Sequence, residues 1–172
     1  MKKFYYVFAV LLLFTVGCAS SYREITKNVD SFSNYTTVTM DPIVSDSFWD
    51  KNPGLKSDQK WQYQVNRAAD YIQKKVNSFY NAKNTGGGKE LKIDSELFMF
   101  NPGLKAARYF VGFGAGKGAI GYHVKLIDVE TSEVLSVFDA FGSVAMGMFG
   151  GDIGTSFDQC AGAIIKYIEA NR

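Results

Sequence analysis

A single histidine and two cysteines are all that 172 residues offer to soft metal ligation. Zinc sites draw three or four ligands from Cys, His and carboxylates, and no such spacing occurs here. The histidine, His123, stands alone on an alternating stretch and reads as a surface residue, because catalysis needs a nucleophile, a base and an orienting group together. An excess of charge of one sign is missing too. The chain has 19 basic and 17 acidic residues. Without Lys2 and Lys3 the basic count falls to 17 and the balance is zero. A neutral chain without a basic stripe has no electrostatic reason to bind nucleic acid. The apolar run from Phe4 to Gly17 is 14 residues long, short of the roughly 20 that a spanning helix needs.

That run reads instead as a targeting signal. Lys2 and Lys3 form a positive start, the apolar stretch follows, and small Gly17 precedes Cys18. The ending "TVGC" resembles the lipobox of bacterial lipoproteins, with Thr15 where leucine is usual. The resemblance implies cleavage before Cys18 and acylation of its sulfur by a palmitate-type chain. Removing 17 of the 172 residues leaves 155, one domain by length. Two or more acyl chains make a stable anchor. Ala19 and Ser20 stand where inner-membrane retention calls for aspartate, so the resemblance points to the inner leaflet of the outer membrane, facing the periplasm. Cys160 is then left without a partner. It falls on an apolar helix stripe, which predicts a buried, inert thiol.

The domains expected are a signal over 1–17, a lipidated N-terminus and polar tether over 18–35, and one α/β domain over 36–172. "TTVTMDPIV" (36–44) is β-branched and alternating, and Pro42 restricts it to an edge or strand end. Residues 45–60 read as a long polar loop, with Asn52-Pro53-Gly54-Leu55 suited to a type II turn. Trp61, Val65, Ala68, Ala69, Ile72, Val76, Phe79 and Tyr80 recur at helical steps and predict a helix over 61–80. Over 90–100, Leu91, Ile93, Leu97 and Met99 alternate with Lys92, Asp94 and Glu96, a half-buried strand with a solvated charged face. Asn101–Lys105 repeats the pentapeptide "NPGLK" of 52–56. Ile120, Tyr122, Val124 and Leu126 share a face opposite Gly121, His123 and Lys125, and 134–142 returns as the second strand of a hairpin. Ser156 and Gln159 suggest a capping box for a final helix with Phe157, Cys160, Ala161, Ile164, Ile165 and Ile168 as its stripe. The order β-α-β-β-β-α implies an α/β or α+β fold, a mixed sheet of four or more strands with two main helices packed on it.

Glycines dominate 112–118. "GFGAGKG" lacks the spacing and the hydroxyl of a phosphate loop. Gly116-Lys117-Gly118-Ala119-Ile120-Gly121 matches G-x-G-x-x-G, but a strand follows it where nucleotide binding requires a helix N-terminus. Gly112, Gly114, Gly116 and Gly118 are two apart, on one face if extended, and read as architectural. Val144, Met146, Met148 and Phe149 are unusually apolar for the connection they occupy. They form a candidate interaction loop, either folded over the core or presented to a partner or membrane interface.

"RYFVGFGAGKGAIGYHVKLIDVETSEVL" (108–135) is similar to an uncharacterised family of bacterial lipoproteins with a domain of unknown function. That family has an arginine, a G-x-G-x-G run and an Asp-x-x-Thr-Gly turn. Asp128 and Thr131 fit, and Ser132 replaces the usual glycine. The resemblance implies a fold like the periplasmic α/β domains of envelope-assembly lipoproteins, such as the curli secretion lipoprotein and the amino-terminal domain of the Tol propeller protein. It implies no activity and no cofactor. The function expected is a non-enzymatic, lipid-anchored interaction module of the cell envelope, whose partner is another envelope protein. The alternative is a small-ligand binder or hydrolase using 112–118 and Arg108.

Overall fold

The computed structural model describes residues 18–84, 86–103, 118–144 and 152–172. Five strands form one mixed sheet: β1 (Cys18–Lys27), β2 (Tyr35–Ile43), β3 (Lys89–Asn101), β4 (Gly118–Asp128) and β5 (Val134–Val144), in the order β1-β5-β4-β3-β2. Four helices accompany it: α1 (Asp46–Lys51), α2 (Pro53–Lys56), α3 (Gln59–Lys83) and α4 (Ile153–Ala170). The fold class is the mixed α+β arrangement expected. β2 pairs parallel to β3, as a strand–helix–strand crossover requires, and the other pairs are antiparallel.

The long helices α3 and α4 pack on each other and on one face of the sheet. Val65, Ala68, Ile72 and Val76 of α3 meet Phe157, Cys160, Ala161, Ile164 and Ile168 of α4 in one core with Ile120, Tyr122, Val124 and Leu126 of β4. Every one of these side chains is essentially excluded from water. Tyr167 anchors the far half of that core. Its ring stacks on Phe138 at 3.9 Å, and its hydroxyl donates to Glu24 at 2.7 Å.

Edge strand β2 holds Pro42. At Met40 its outward backbone groups are met by α3: Asn77 Oδ1 accepts from the Met40 amide at 2.8 Å, and Gln73 Nε2 donates to the Met40 carbonyl at 3.1 Å. A helix laid along an edge satisfies the groups that would otherwise template aggregation.

Several local expectations are corrected. Residues 18–27 are not a tether but edge strand β1, antiparallel to β5 from Cys18↔Val144 onward. Their apolar content is too low to signal a strand, since β1 buries little and relies on its ladder. Residues 45–60 are not a loop. Ser45 caps α1, its Oγ accepting from the Phe48 amide at 3.2 Å, and Pro53 opens α2. Proline suits a first helical position because its missing N–H has no intrahelical role there. The two "NPGLK" copies therefore differ: Gly54 is helical, whereas Gly103 sits at φ 66°, with its amide donating to Asn101 Oδ1 at 3.0 Å. Helix α4 is capped not at Ser156 but by Asp152, whose side chain accepts from the Gly154 amide. Ser156 is buried within the first turn and donates to the Ile153 carbonyl at 2.6 Å. A register shift between Leu97 and Met99 turns Phe100 inward and leaves Met99 only partly buried.

Candidate functional site

The face of the sheet opposite α3 and α4 carries the charged side chains. One row crosses all five strands: Arg23 of β1 pairs with Asp139 of β5, Asp139 with His123 of β4, His123 with Glu96 of β3, and Glu96 with Ile43 of β2. Asp139 is the buried centre. Its Oδ1 lies 2.8 Å from His123 Nδ1, and its Oδ2 accepts from the Arg23 guanidinium. The Asp139 side chain is 6% exposed, against 38% for His123 and 72% for Arg23. Two donors on one carboxylate offset its desolvation. Among the described residues His123 Nε2 has no hydrogen-bond partner.

Beside this row lies a half-open cleft of about 400 Å³. Arg23, Asp139, His123 and Glu96 line it, with Ser47 and Lys51 of α1 and Asn52 between α1 and α2; Phe48, Leu97 and Phe98 supply the apolar surface. Phe98 is 45% exposed and lies edge-on to Phe141, ring centres 5.7 Å apart. A Cβ on Gly121 would come within 2.8 Å of the Phe98 ring, so the glycine makes room for the ring to lie on the strand. The arrangement offers mixed charge and aromatic surface at one place. Among the described residues no group of three or more His, Cys, Asp or Glu is set to hold a metal ion.

The Asp128 turn is a different device. Asp128 is almost fully buried. Its Oδ2 accepts from Tyr35 Oη at 2.8 Å and Lys89 Nζ at 2.9 Å, and its Oδ1 accepts from the Glu130 and Thr131 amides at 2.8 and 3.1 Å. Lys89 and Tyr35 hold the Asp128 carboxyl well below the usual carboxylate range. Burial, and then the Asp128 contact, pushes the Tyr35 phenol up to about 12. Ser132 adopts φ 60°, the left-handed backbone that glycine would take without strain. The Asp-x-x-Thr spacing is thus a clasp that closes the β4–β5 turn and ties it to β2 and β3. It is structural.

Other expected residues fall out as follows. Cys18 opens β1. Val144 is not part of an exposed loop: it ends β5, is 2% exposed and pairs with both Cys18 and Gly118. Gly118 opens β4. Met146, Met148, Phe149, Arg108, Gly112, Gly114 and Gly116 lie outside the described residues. Asp94 faces Lys125 in register, and Glu96 faces His123, so the charged strand face is as expected. Cys160 is fully buried, its thiol donating to the Ala140 carbonyl at 3.6 Å, and burial pushes it up to about 12. The Arg23–Asp139–His123 contact follows no sequence motif. Pairing outward from the 128–134 turn sets His123 opposite Asp139. Arg23 carries no such signal, because the apolar content of β1 is too low to mark a strand.

A family model described as Domain of unknown function (DUF4410) matches residues 36–148. The chain belongs to the DUF4410 family. The matched stretch runs from β2 to the end of β5, so it contains the cleft residues from Ser47 to Asp139, while Arg23 on β1 and all of α4 lie outside it. Three solved structures are similar. A dodecameric PelC variant from Paraburkholderia phytofirmans is 10% identical with a TM-score of 0.46, covering 84% of this chain and 94% of that one. A second PelC dodecamer structure from the same organism is 11% identical with a TM-score of 0.41, over the same shares. A candidate lipoprotein from Caulobacter crescentus CB15 is 9% identical with a TM-score of 0.46, covering 80% and 89%. No curated protein matches the chain.

Proposed function

We propose that this DUF4410 protein is a lipid-anchored cell-envelope domain, held by acylated Cys18 at the outer membrane and facing the periplasm, and that it binds another envelope protein without catalysing a reaction. The anchor rests on the sequence: a short apolar run, then Gly17-Cys18, with no aspartate after it. Among the described residues no helix is long and apolar enough to cross a membrane. The binding role rests on one observation. The sheet face opposite the long helices carries the cross-strand row Arg23–Asp139–His123–Glu96 beside exposed Phe98 and Ile43. Aromatic surface bordered by charge of both signs is the composition of protein interfaces. Two experiments test the two halves. Metabolic labelling with a fatty-acid analogue should tag wild type and not Cys18→Ala; equal tagging refutes the anchor. A photo-crosslinking residue at Phe98 should capture a protein in cells, whereas the same residue at Tyr63, which is 65% exposed on α3, should not. No adduct at 98, or equal adducts at both, refutes the face.

The Asp139–His123 contact favours a second reading, a small ligand held in the cleft against His123 Nε2. A melting-shift screen with nucleotides, sugars and peptidoglycan fragments decides it: a shift that disappears in His123→Gln supports a ligand site.

A further inference from the structure

The charges that line the cleft balance. Two cations, Arg23 and Lys51, stand against two anions, Asp139 and Glu96, so with His123 neutral the lining sums to zero. The two signs are also held apart. The Arg23 guanidinium sits on Asp139 of β5, Glu96 belongs to β3, and β4 with His123 runs between. Two strand spacings set the guanidinium and Glu96 about 10 Å apart. Among the described residues the Arg23 contact comes from one nitrogen, Nη2, and the side chain is 72% exposed. A guanidinium fork has five N–H groups and can bridge two carboxylates. Glu96 is exposed, and beside the row the half-exposed Phe98 ring lies over Gly121. Ser47 and Asn52 complete the polar lining.

We propose that the cleft binds a free tripeptide, with its carboxylate on Arg23, its terminal ammonium on Glu96 and an apolar side chain against Phe98. The inference rests on the small-ligand reading of the cleft and names the class of that ligand. A lining that is neutral overall, with its signs separated, matches a zwitterion. A ligand with charge of one sign would leave two of the four charged side chains facing like charge. The span sets the length. A single amino acid carries both charges on one carbon and cannot reach across two strand spacings, whereas three extended residues cover about 10 Å. Between its ends a peptide brings N–H and C=O groups that need polar partners once water is displaced, and Ser47, Asn52 and His123 Nε2 line the cleft for them. An apolar side chain laid on Phe98 removes both from water.

The test is isothermal titration calorimetry on the lipidated full protein in detergent micelles, with the peptide Ala-Leu-Ala as probe. Saturable binding should weaken about three-fold or more when the probe is carboxy-amidated, and as much when it is amino-acetylated, the worth of one exposed ion pair each. Arg23→Gln should weaken the free peptide but not its amide. Glu96→Gln should weaken the free peptide but not its acetyl form. The blocked probes on the wild-type protein decide the outcome even where a variant does not fold. Equal affinity for free and blocked probes, or no saturable heat, overturns the tripeptide. Binding of the dipeptide Ala-Leu as tight as that of Ala-Leu-Ala overturns the span. Sensitivity to amidation without sensitivity to acetylation also overturns the inference, in favour of the carboxy terminus of a protein. A melting shift with a nucleotide or sugar that needs His123, without peptide binding, overturns the tripeptide and leaves the small-ligand cleft standing. No ligand of either kind removes both.

Discussion

Gly142→Ala should be the most damaging single-methyl addition in the sheet. A Cβ built on Gly142 would lie 1.9 Å from the Ser156 carbonyl oxygen and 2.6 Å from the Cys160 amide nitrogen. Both obstacles are backbone of α4, so no rotamer change relieves them. An ordinary carbon–oxygen contact is about 3.4 Å, so the first turns of α4 must lift by about 1.5 Å. That lift would loosen Phe157, Cys160 and Ala161 from the sheet and stretch the Cys160–Ala140 contact. Overpacking typically costs 1–3 kcal/mol, and a helix backbone that cannot yield puts this case at the upper end, about 3 kcal/mol. For a domain of this size that is a fall in Tm of roughly 6–12 °C. Gly121→Ala is the control. It meets the edge of the half-exposed Phe98 ring and the Met99 methyl at 3.3 Å, both ends of side chains that can swing away, so its cost should stay below about 1 kcal/mol. Urea titrations followed by far-UV circular dichroism give both values. Gly142→Ala within 1 kcal/mol of wild type, or a larger loss for Gly121→Ala, would refute the close approach of α4 to β5.

Asp128 and Tyr35 make stability depend on pH at both extremes. The Asp128 carboxyl is depressed, so its contribution is complete above the ordinary value near 3.8 and is lost as pH falls below it. Asp128→Asn should flatten the acid limb of a stability–pH profile and cost more at pH 7 than at pH 2; parallel profiles would contradict the clasp. The Tyr35 phenol is raised from 10.0 to about 12, so its contribution holds below pH 10 and is lost between pH 10 and 12, an alkaline fall that Tyr35→Phe should remove. Cys160 should resist thiol reagents in the native Cys18→Ala protein and react only on denaturation; fast native labelling would mean that α4 does not seat on β5. Ser132→Gly should stabilise by up to about 1 kcal/mol by relieving left-handed strain, and Ser132→Val should destabilise, with melting temperatures reversing that order counting against the observed turn.

Periodicity was legible wherever burial is one-sided. The stripe of α3, the inward face of β4 and the stripe of α4 each repeat apolar residues at the spacing of their own element, because one face must leave water while the other stays in it. Pro42 correctly marked an edge, since it donates nothing to a ladder. The Asp128–Thr131 spacing was visible as a turn, although its partners Tyr35 and Lys89 were not, because they come from strands 93 and 39 residues away. Local chemistry decides a hairpin; long-range pairing decides what closes around it.

What the sequence determined alone is therefore the set of amphipathic elements and the burial of Cys160. What only the tertiary structure decided is where elements without a buried face go, and which polar residues meet. β1 reads as a polar tail because it is held by its backbone ladder to β5, which no side-chain pattern announces, with Tyr22 against Tyr167 as its one aromatic contact among the described residues. Once that strand is paired, Arg23 arrives beside Asp139 and His123. Gly142 is one glycine among 17 in the sequence, and its role exists only because the backbone of α4 folds back to rest against it.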